Sequence, residues 1–320
     1  MDTWKASLAD MINDLDELLA QLNLDRTFEP RLADASSSFP LRVPREFVSR
    51  MRSGDINDPL LRQILPIEAE NEAVAGFGTD PLGEHRSAGP MIQKYDGRVL
   101  IIVSSACAVH CRYCFRRHFP YEAMSDRGWQ RALIEISEDS SIKEVILSGG
   151  DPLLVDNNLL GDLFERILAI PHVQRLRVHT RLPIVIPSRV DDGLLKIINR
   201  SQKIIVVVHI NHANEIDDDV RRAMHRLSSV GVVLLNQSVL LRGVNDTVEA
   251  LVELSEALIE ASVLPYYLHL LDRVKGAHHF EVPEETAGQL VASMRTRLPG
   301  YLVPRLVREV EGAGSKVPVG

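Results

Sequence analysis

Three cysteines, Cys107, Cys111 and Cys114, lie in one short stretch, CAVHCRYCF, and the chain holds no others. Gaps of three and then two residues let three thiolates reach one metal centre from a loop. A closed structural zinc site takes four protein ligands, so three thiolates imply a centre with one coordination place kept for something else. Zinc completed by His110 or His118 is the other reading this spacing allows. An odd, clustered set makes no disulfide framework and fits a reducing compartment.

Two further clusters carry chemistry. Ser148-Gly149-Gly150-Asp151 closes an apolar run, where the glycines permit close backbone approach and the acid can accept from an ammonium. His209 and His212, in HINHANE, are three apart, but strand geometry turns them to opposite faces. They read as structural or pocket-lining groups rather than a metal pair.

These residues need a scaffold, and one is written from residue 98 onward. The β-branched runs RVLIIVSS, KEVILSGG, RLRVHT, KIIVVVHI, GVVLLNQSVLL and LPYYLHLL alternate with amphipathic stretches such as NNLLGDLFERILAI, DDGLLKIINR, DDDVRRAMHRLSSV and VEALVELSEALIEA. Nearly continuous apolar strands alternating with helices predict a parallel sheet wound right-handed. Six such units predict an α/β fold, an incomplete parallel (β/α)6 barrel, whose chemistry sits at the C-terminal strand ends. Residues 4–24 predict one amphipathic helix, and the Pro- and Gly-broken stretch from 25 to 95 predicts short helices and loops. The expected division is a mostly helical accessory region over 1–95, the barrel over 96–300, and a C-terminal strand and tail over 301–320.

The balance of 36 basic against 44 acidic residues gives a formal net charge of -8, which excludes a broad nucleic-acid footprint. A hydrophobic fraction of 45% and a charged fraction of 25% are those of a folded globular protein. No apolar run approaches the ~20 residues that span a bilayer, and the first residues resemble neither a secretory signal nor a transit peptide. The expectation is a cytoplasmic protein.

CxxxCxxC followed one unit later by SGGD resembles the signature of radical S-adenosylmethionine (SAM) enzymes. The ordered motifs YCFRRHFPY, LSGGDPLL, HINHANEI, NQSVLLRGVND, PYYLHLLD and SKVPV, from about residue 77 to the C-terminus, resemble the lysine 2,3-aminomutase family. They are most similar to its short members, which make β-lysine for elongation factor P. The resemblance implies an isomerase with a 4Fe-4S cluster on Cys107, Cys111 and Cys114, whose open iron chelates SAM. It implies SAM contacts at Ser148, Gly149, Gly150, Asp151 and Gln237, and pyridoxal 5'-phosphate (PLP) held covalently by Lys316 with Lys94, Tyr95 and Arg98 beside it. Arg116 would grip the substrate carboxylate while Asp272 and Glu309 hold the lysine ammonium, and Arg117 would form a structural salt bridge. Lys94 stands where long-form members have arginine, and Glu309 where they have aspartate. The implied partners are lysine, elongation factor P with its lysyl ligase, and an electron donor such as flavodoxin or ferredoxin. A catabolic lysine aminomutase, an aminomutase of glutamate, or a non-catalytic metal-binding protein are the alternatives.

Overall fold

A computed structural model describes residues 3–27, 39–86, 91–121, 128–201 and 203–320. Parts of the expected accessory region, residues 28–38 and 87–90, lie outside them.

The sheet has nine strands in sequence order: β1 (Met91–Tyr95), β2 (Arg98–Ser104), β3 (Glu144–Gly149), β4 (Arg175–Thr180), β5 (Ile204–Val208), β6 (Val233–Val239), β7 (Leu264–His269), β8 (Arg305–Arg308) and β9 (Val317–Pro318). From β2 to β8 every pairing is parallel, and the edges β1 and β9 run antiparallel to their neighbours. The six expected strands are β2 to β7, and β8 closes the sixth β/α unit. The predicted partial barrel is therefore the observed fold.

Local chemistry explains the alternation. In β5 the run Ile-Ile-Val-Val-Val is covered on both faces, as parallel sheets require. Capping side chains then restart the chain as helix: Asp191 accepts the Leu194 N–H at 2.7 Å, Asp217 that of Val220 at 2.8 Å, and Thr247 that of Ala250 at 3.2 Å. The helices Gly128–Glu138 and Glu284–Arg297 also belong to the winding, although the sequence pattern did not mark them.

Two expectations for the N-terminal region change. The single helix over 4–24 is two helices, Thr3–Ala9 and Leu15–Gln21. Between them Ile12 leaves the helical path to exchange backbone hydrogen bonds with Val43 at 2.9 and 3.0 Å, and Asp14 caps the second helix through the Glu17 N–H at 2.8 Å. The end of the supposedly helical stretch is strand β1, a hairpin partner of β2. The N-terminal elements share the barrel's core: Trp4, Leu18, Phe47 and Leu61 are buried in one cluster with Val145, Leu176 and Val206. Among the described residues no helix is long and apolar enough to cross a membrane.

Candidate active site

The cysteine loop leaves the C-terminal end of β2 and is shaped by the end of β3. Gly150 N–H donates to the Ser104 carbonyl at 2.7 Å and Asp151 N–H to that of Ala106 at 2.8 Å. A Cβ on Gly150 would stand 2.1 Å from the Ala106 oxygen, and one on Gly149, whose φ is +126°, 2.4 Å from the Ser104 oxygen. The close approach expected of these glycines is thus of strand end to cysteine loop. Asp151 is likewise spent inside the protein, accepting from the N–H groups of Leu153, Arg181 and Leu182 and from the Thr180 hydroxyl. Asp151, expected beside a ligand, holds these four internal bonds in the free protein, because a buried carboxylate takes the strong donors nearest to it.

Burial, then repulsion from Cys114, Asp151 and Cys111, pushes the Cys107 thiol well above its ordinary range. Burial and Cys111 push Cys114 up to about 11, against the relief of the Arg116 backbone N–H. Thiols that raise one another's pKa ionise together only around a cationic core, so this donor set fits an iron-sulfur cluster. His110 Nδ1 lies 2.8 Å from the Pro40 carbonyl and His118 Nε2 3.2 Å from that of Lys275. Among the described residues no three His, Cys, Asp or Glu side chains converge on a single ion.

A chain of alternating charges crosses the barrel mouth. Arg116, buried, grips Glu84 through Nε at 2.7 Å and Nη2 at 3.1 Å, and reaches Ser148 Oγ with Nη1 at 2.9 Å. Glu84 also receives Lys94 Nζ at 2.8 Å, and Lys94 continues to Glu309 at 3.2 Å. Glu309 accepts the Tyr95 hydroxyl at 3.0 Å and the Lys316 ammonium. Arg116 has the planar fork expected of it, but the carboxylate in the fork is that of Glu84, which sequence reasoning missed. Glu84 lies in a Pro- and Gly-rich loop with no periodicity to single it out. Arg117 forms the expected salt bridge, to Glu70 at 2.6 Å.

The electrostatics separate the acids. Burial raises the Glu84 carboxyl, yet Arg116 and Lys94 bring it below its ordinary range. Burial also opposes ionisation of Glu309, but Lys316 and Lys94 outweigh it and set its pKa at about 2. Asp272 has no such ion pair among the described residues. Burial, and then Glu309, raise it to about 7 despite Lys316 and Lys94.

One wall is built by period-two alternation along the strands. His179 from β4, His209 just after β5 and Gln237 from β6 meet there, with Gln237 Nε2 2.9 Å from His209 Nε2 and 3.4 Å from His179 Nδ1. His269 ends β7. Burial first, then neighbouring cations, hold His209 and His269 neutral with pKa values of about 3 and push His179 far down. Among the described residues, His179 Nε2 and His269 Nε2 are buried with no hydrogen-bond partner. Orphaned ring nitrogens beside Lys316 suit a polar organic ligand. Sequence reasoning missed both, since one histidine per strand reads as an ordinary core residue. His212 faces away, accepting the Asn214 N–H at 3.1 Å.

Lys316 precedes β9, its side chain 18% exposed and its Nζ 5.7 Å from the Tyr267 ring centre. Arg98 stacks 5.1 Å from the Tyr95 ring. A sheltered amine resting on Glu309 beside the Tyr267 ring fits a PLP anchor.

Residues 101–255 match the radical SAM superfamily. L-lysine 2,3-aminomutase of Escherichia coli is 49% identical over 99% of this chain and 94% of its own length. The protein of the same name from Haemophilus influenzae is 45% identical over 98% and 94%, and that from Clostridium subterminale 32% identical over 99% and 77%. Among solved structures, Streptococcus suis SuiB bound to S-adenosylmethionine has a TM-score of 0.48 at 16% identity, covering 68% of this chain and 52% of that one. At 49% identity over nearly the whole of both chains, this chain belongs to the L-lysine 2,3-aminomutase family, isomerases of the radical SAM superfamily.

Proposed function

We propose that the protein rearranges L-α-lysine to β-lysine with a 4Fe-4S cluster on Cys107, Cys111 and Cys114, SAM at its open iron, and PLP on Lys316. The product then serves, through a lysyl ligase, to modify elongation factor P in the cytoplasm, with flavodoxin or ferredoxin as electron donor. When bound, cluster and SAM supply a radical that takes a hydrogen from the substrate β-carbon, and PLP supplies the carbon that carries the migrating nitrogen.

The observation that carries this reading is the meeting of Lys316, Glu309, Asp272, Lys94 and Arg116 in one charged group at the strand ends beside the cysteine loop. Lysine offers a carboxylate at one end and an ammonium at the other. Arg116, already paired to a carboxylate in Glu84, has the planar fork to orient the first. Glu309 and Asp272 accept the second, and Asp272, near neutrality in the free protein, ionises as the cation arrives. Gln237, His209 and His269 line the barrel with neutral groups that neither donate protons to a radical nor repel a cation. The test is anaerobic reconstitution with iron, sulfide, PLP, SAM and a reductant, followed by L-lysine or L-glutamate and chiral chromatography. β-Lysine that depends on both SAM and PLP is expected. Rearranged glutamate with unchanged lysine would overturn the reading.

A further inference from the structure

Arg181, just past β4, is buried, and the fold holds its guanidinium from several sides. Nη2 donates to Gln63 Oε1 at 2.8 Å and to Glu215 Oε2 at 3.0 Å. Glu215, fully buried, is itself fixed by the N–H groups of Asn211 at 2.9 Å and His212 at 3.2 Å, and by Gln63 Nε2 at 3.1 Å. Asp151 Oδ2 holds the Arg181 backbone N–H at 2.8 Å, and the Phe47 and Tyr113 rings lie 5.5 and 5.8 Å from the guanidinium carbon. The outcome of this scaffolding is the direction of Nη1, which meets the Tyr113 oxygen and stands 2.7 Å from Cys111 Sγ.

The three sulfurs are thereby unequal. Cys114 takes a backbone N–H from Arg116, and Cys107 senses the cation of Arg42. Cys111 takes a charged side-chain hydrogen bond. Burying a guanidinium is costly unless it is paired; Arg181 leaves its buried Nε without a hydrogen-bond partner among the described residues and directs Nη1 to the sulfur. Charge-assisted hydrogen bonds are about twice as strong as neutral ones, and hydrogen bonds to cluster sulfurs tune reduction potential and hold the ligands in orientation.

We propose that Arg181 is a positioning residue for the iron-sulfur cluster: its Nη1–H···Sγ bond orients Cys111 and makes the cluster easier to reduce, with Gln63 and Glu215 fixing the guanidinium and Asp151 its backbone N–H. A cationic donor stabilises the extra electron of the reduced cluster, which is the species that must form before SAM is cleaved. The proposal rests on the cluster being carried by the three cysteines, and it explains why Asp151 is turned inward, where it anchors the backbone of the donor.

The test compares wild-type protein with Arg181→Lys, both reconstituted anaerobically with iron and sulfide and without SAM. Lysine keeps a cation opposite Glu215 but cannot reach Glu215 and the sulfur together. At a fixed applied potential, the reduced-to-oxidised ratio read by electron paramagnetic resonance should fall at least about tenfold in the variant, equal to ~59 mV for a one-electron couple. A second measurement needs no variant: in wild-type protein carrying arginine labelled with 15N in the guanidinium, the reduced cluster should show a 15N hyperfine coupling. A full cluster with no such coupling, or an unchanged ratio in Arg181→Lys, would overturn the proposal and leave the cluster assignment standing. Wild-type protein that takes up no iron would overturn both.

Discussion

The Lys316 ammonium rests on the carboxylate of Glu309, across the turn that joins β8 to β9. In the free protein a lysine amine thus occupies the acid proposed to receive the substrate's ammonium. Lys316→Met should vacate that place. Charged hydrogen bonds contribute about 1.5 to 3 kcal/mol, and about 1.4 kcal/mol is tenfold in affinity. PLP-free Lys316→Met should therefore bind L-lysine at least about tenfold more tightly than PLP-free wild type in titration calorimetry. Equal affinities would mean that Lys316 and the substrate do not share Glu309.

Lys316 is also a sheltered amine, held between the Tyr267 ring and the Glu309 carboxylate. Borohydride reduction of the PLP-loaded protein followed by peptide mass spectrometry should find the adduct on Lys316. An adduct on Lys94 or Lys275 would move the anchor.

Asp272 carries the pH dependence. Its carboxyl is raised to about 7, first by burial and then by Glu309, so the free protein loses a negative charge there as pH falls through that value. A cation binds the ionised form, so L-lysine affinity should be steady above pH ~7 and weaken up to about tenfold per pH unit below it. Asp272→Asn should flatten the profile over the same range. A wild-type profile already flat from pH 6 to 8 would remove Asp272 from the ammonium site.

Gly150 sets the distance between β3 and the cysteine loop. Gly150→Ala would press its Cβ to 2.1 Å from backbone that cannot swing away as a side chain would. Overpacking of this kind costs about 1–3 kcal/mol, so the melting temperature should fall. Iron uptake should fall with it, because the displaced segment is the one that leads into Cys107. Iron content equal to wild type would show that the loop tolerates the shift.

The strand rhythm was legible because parallel strands covered on both faces are largely apolar, as Ile-Ile-Val-Val-Val of β5 is, although β4 carries Arg177 and His179 and β6 carries Asn236 and Gln237. The helix Glu284–Arg297 was not, since its apolar positions are diluted by Gly288, Gln289 and Ser293. Cys107, Cys111 and Cys114 announce themselves by spacing, and Lys316, Asp272 and Glu309 by motif order. Glu84 and the histidines 179 and 269 could not be read, for their roles come from which strand ends meet, a tertiary fact. Asp151 shows the opposite limit: a motif marks a residue as special, but only the fold reveals that its oxygens face Thr180 and Arg181.

The central claim is that lysine is held between Arg116 and the acids Asp272 and Glu309, beside Lys316. Steady-state turnover of L-lysine by reconstituted Asp272→Asn and Glu309→Gln, with iron and PLP content checked in each, tests it most directly. Loss of one charged hydrogen bond, at about 1.5 to 3 kcal/mol, predicts at least a tenfold fall in kcat/KM for Asp272→Asn with cluster and PLP intact. Glu309→Asp, which keeps the charge and shortens the reach, should lose less than Glu309→Gln. Parental rates of β-lysine formation in both Asp272→Asn and Glu309→Gln would contradict the account, because the ammonium would then be held elsewhere.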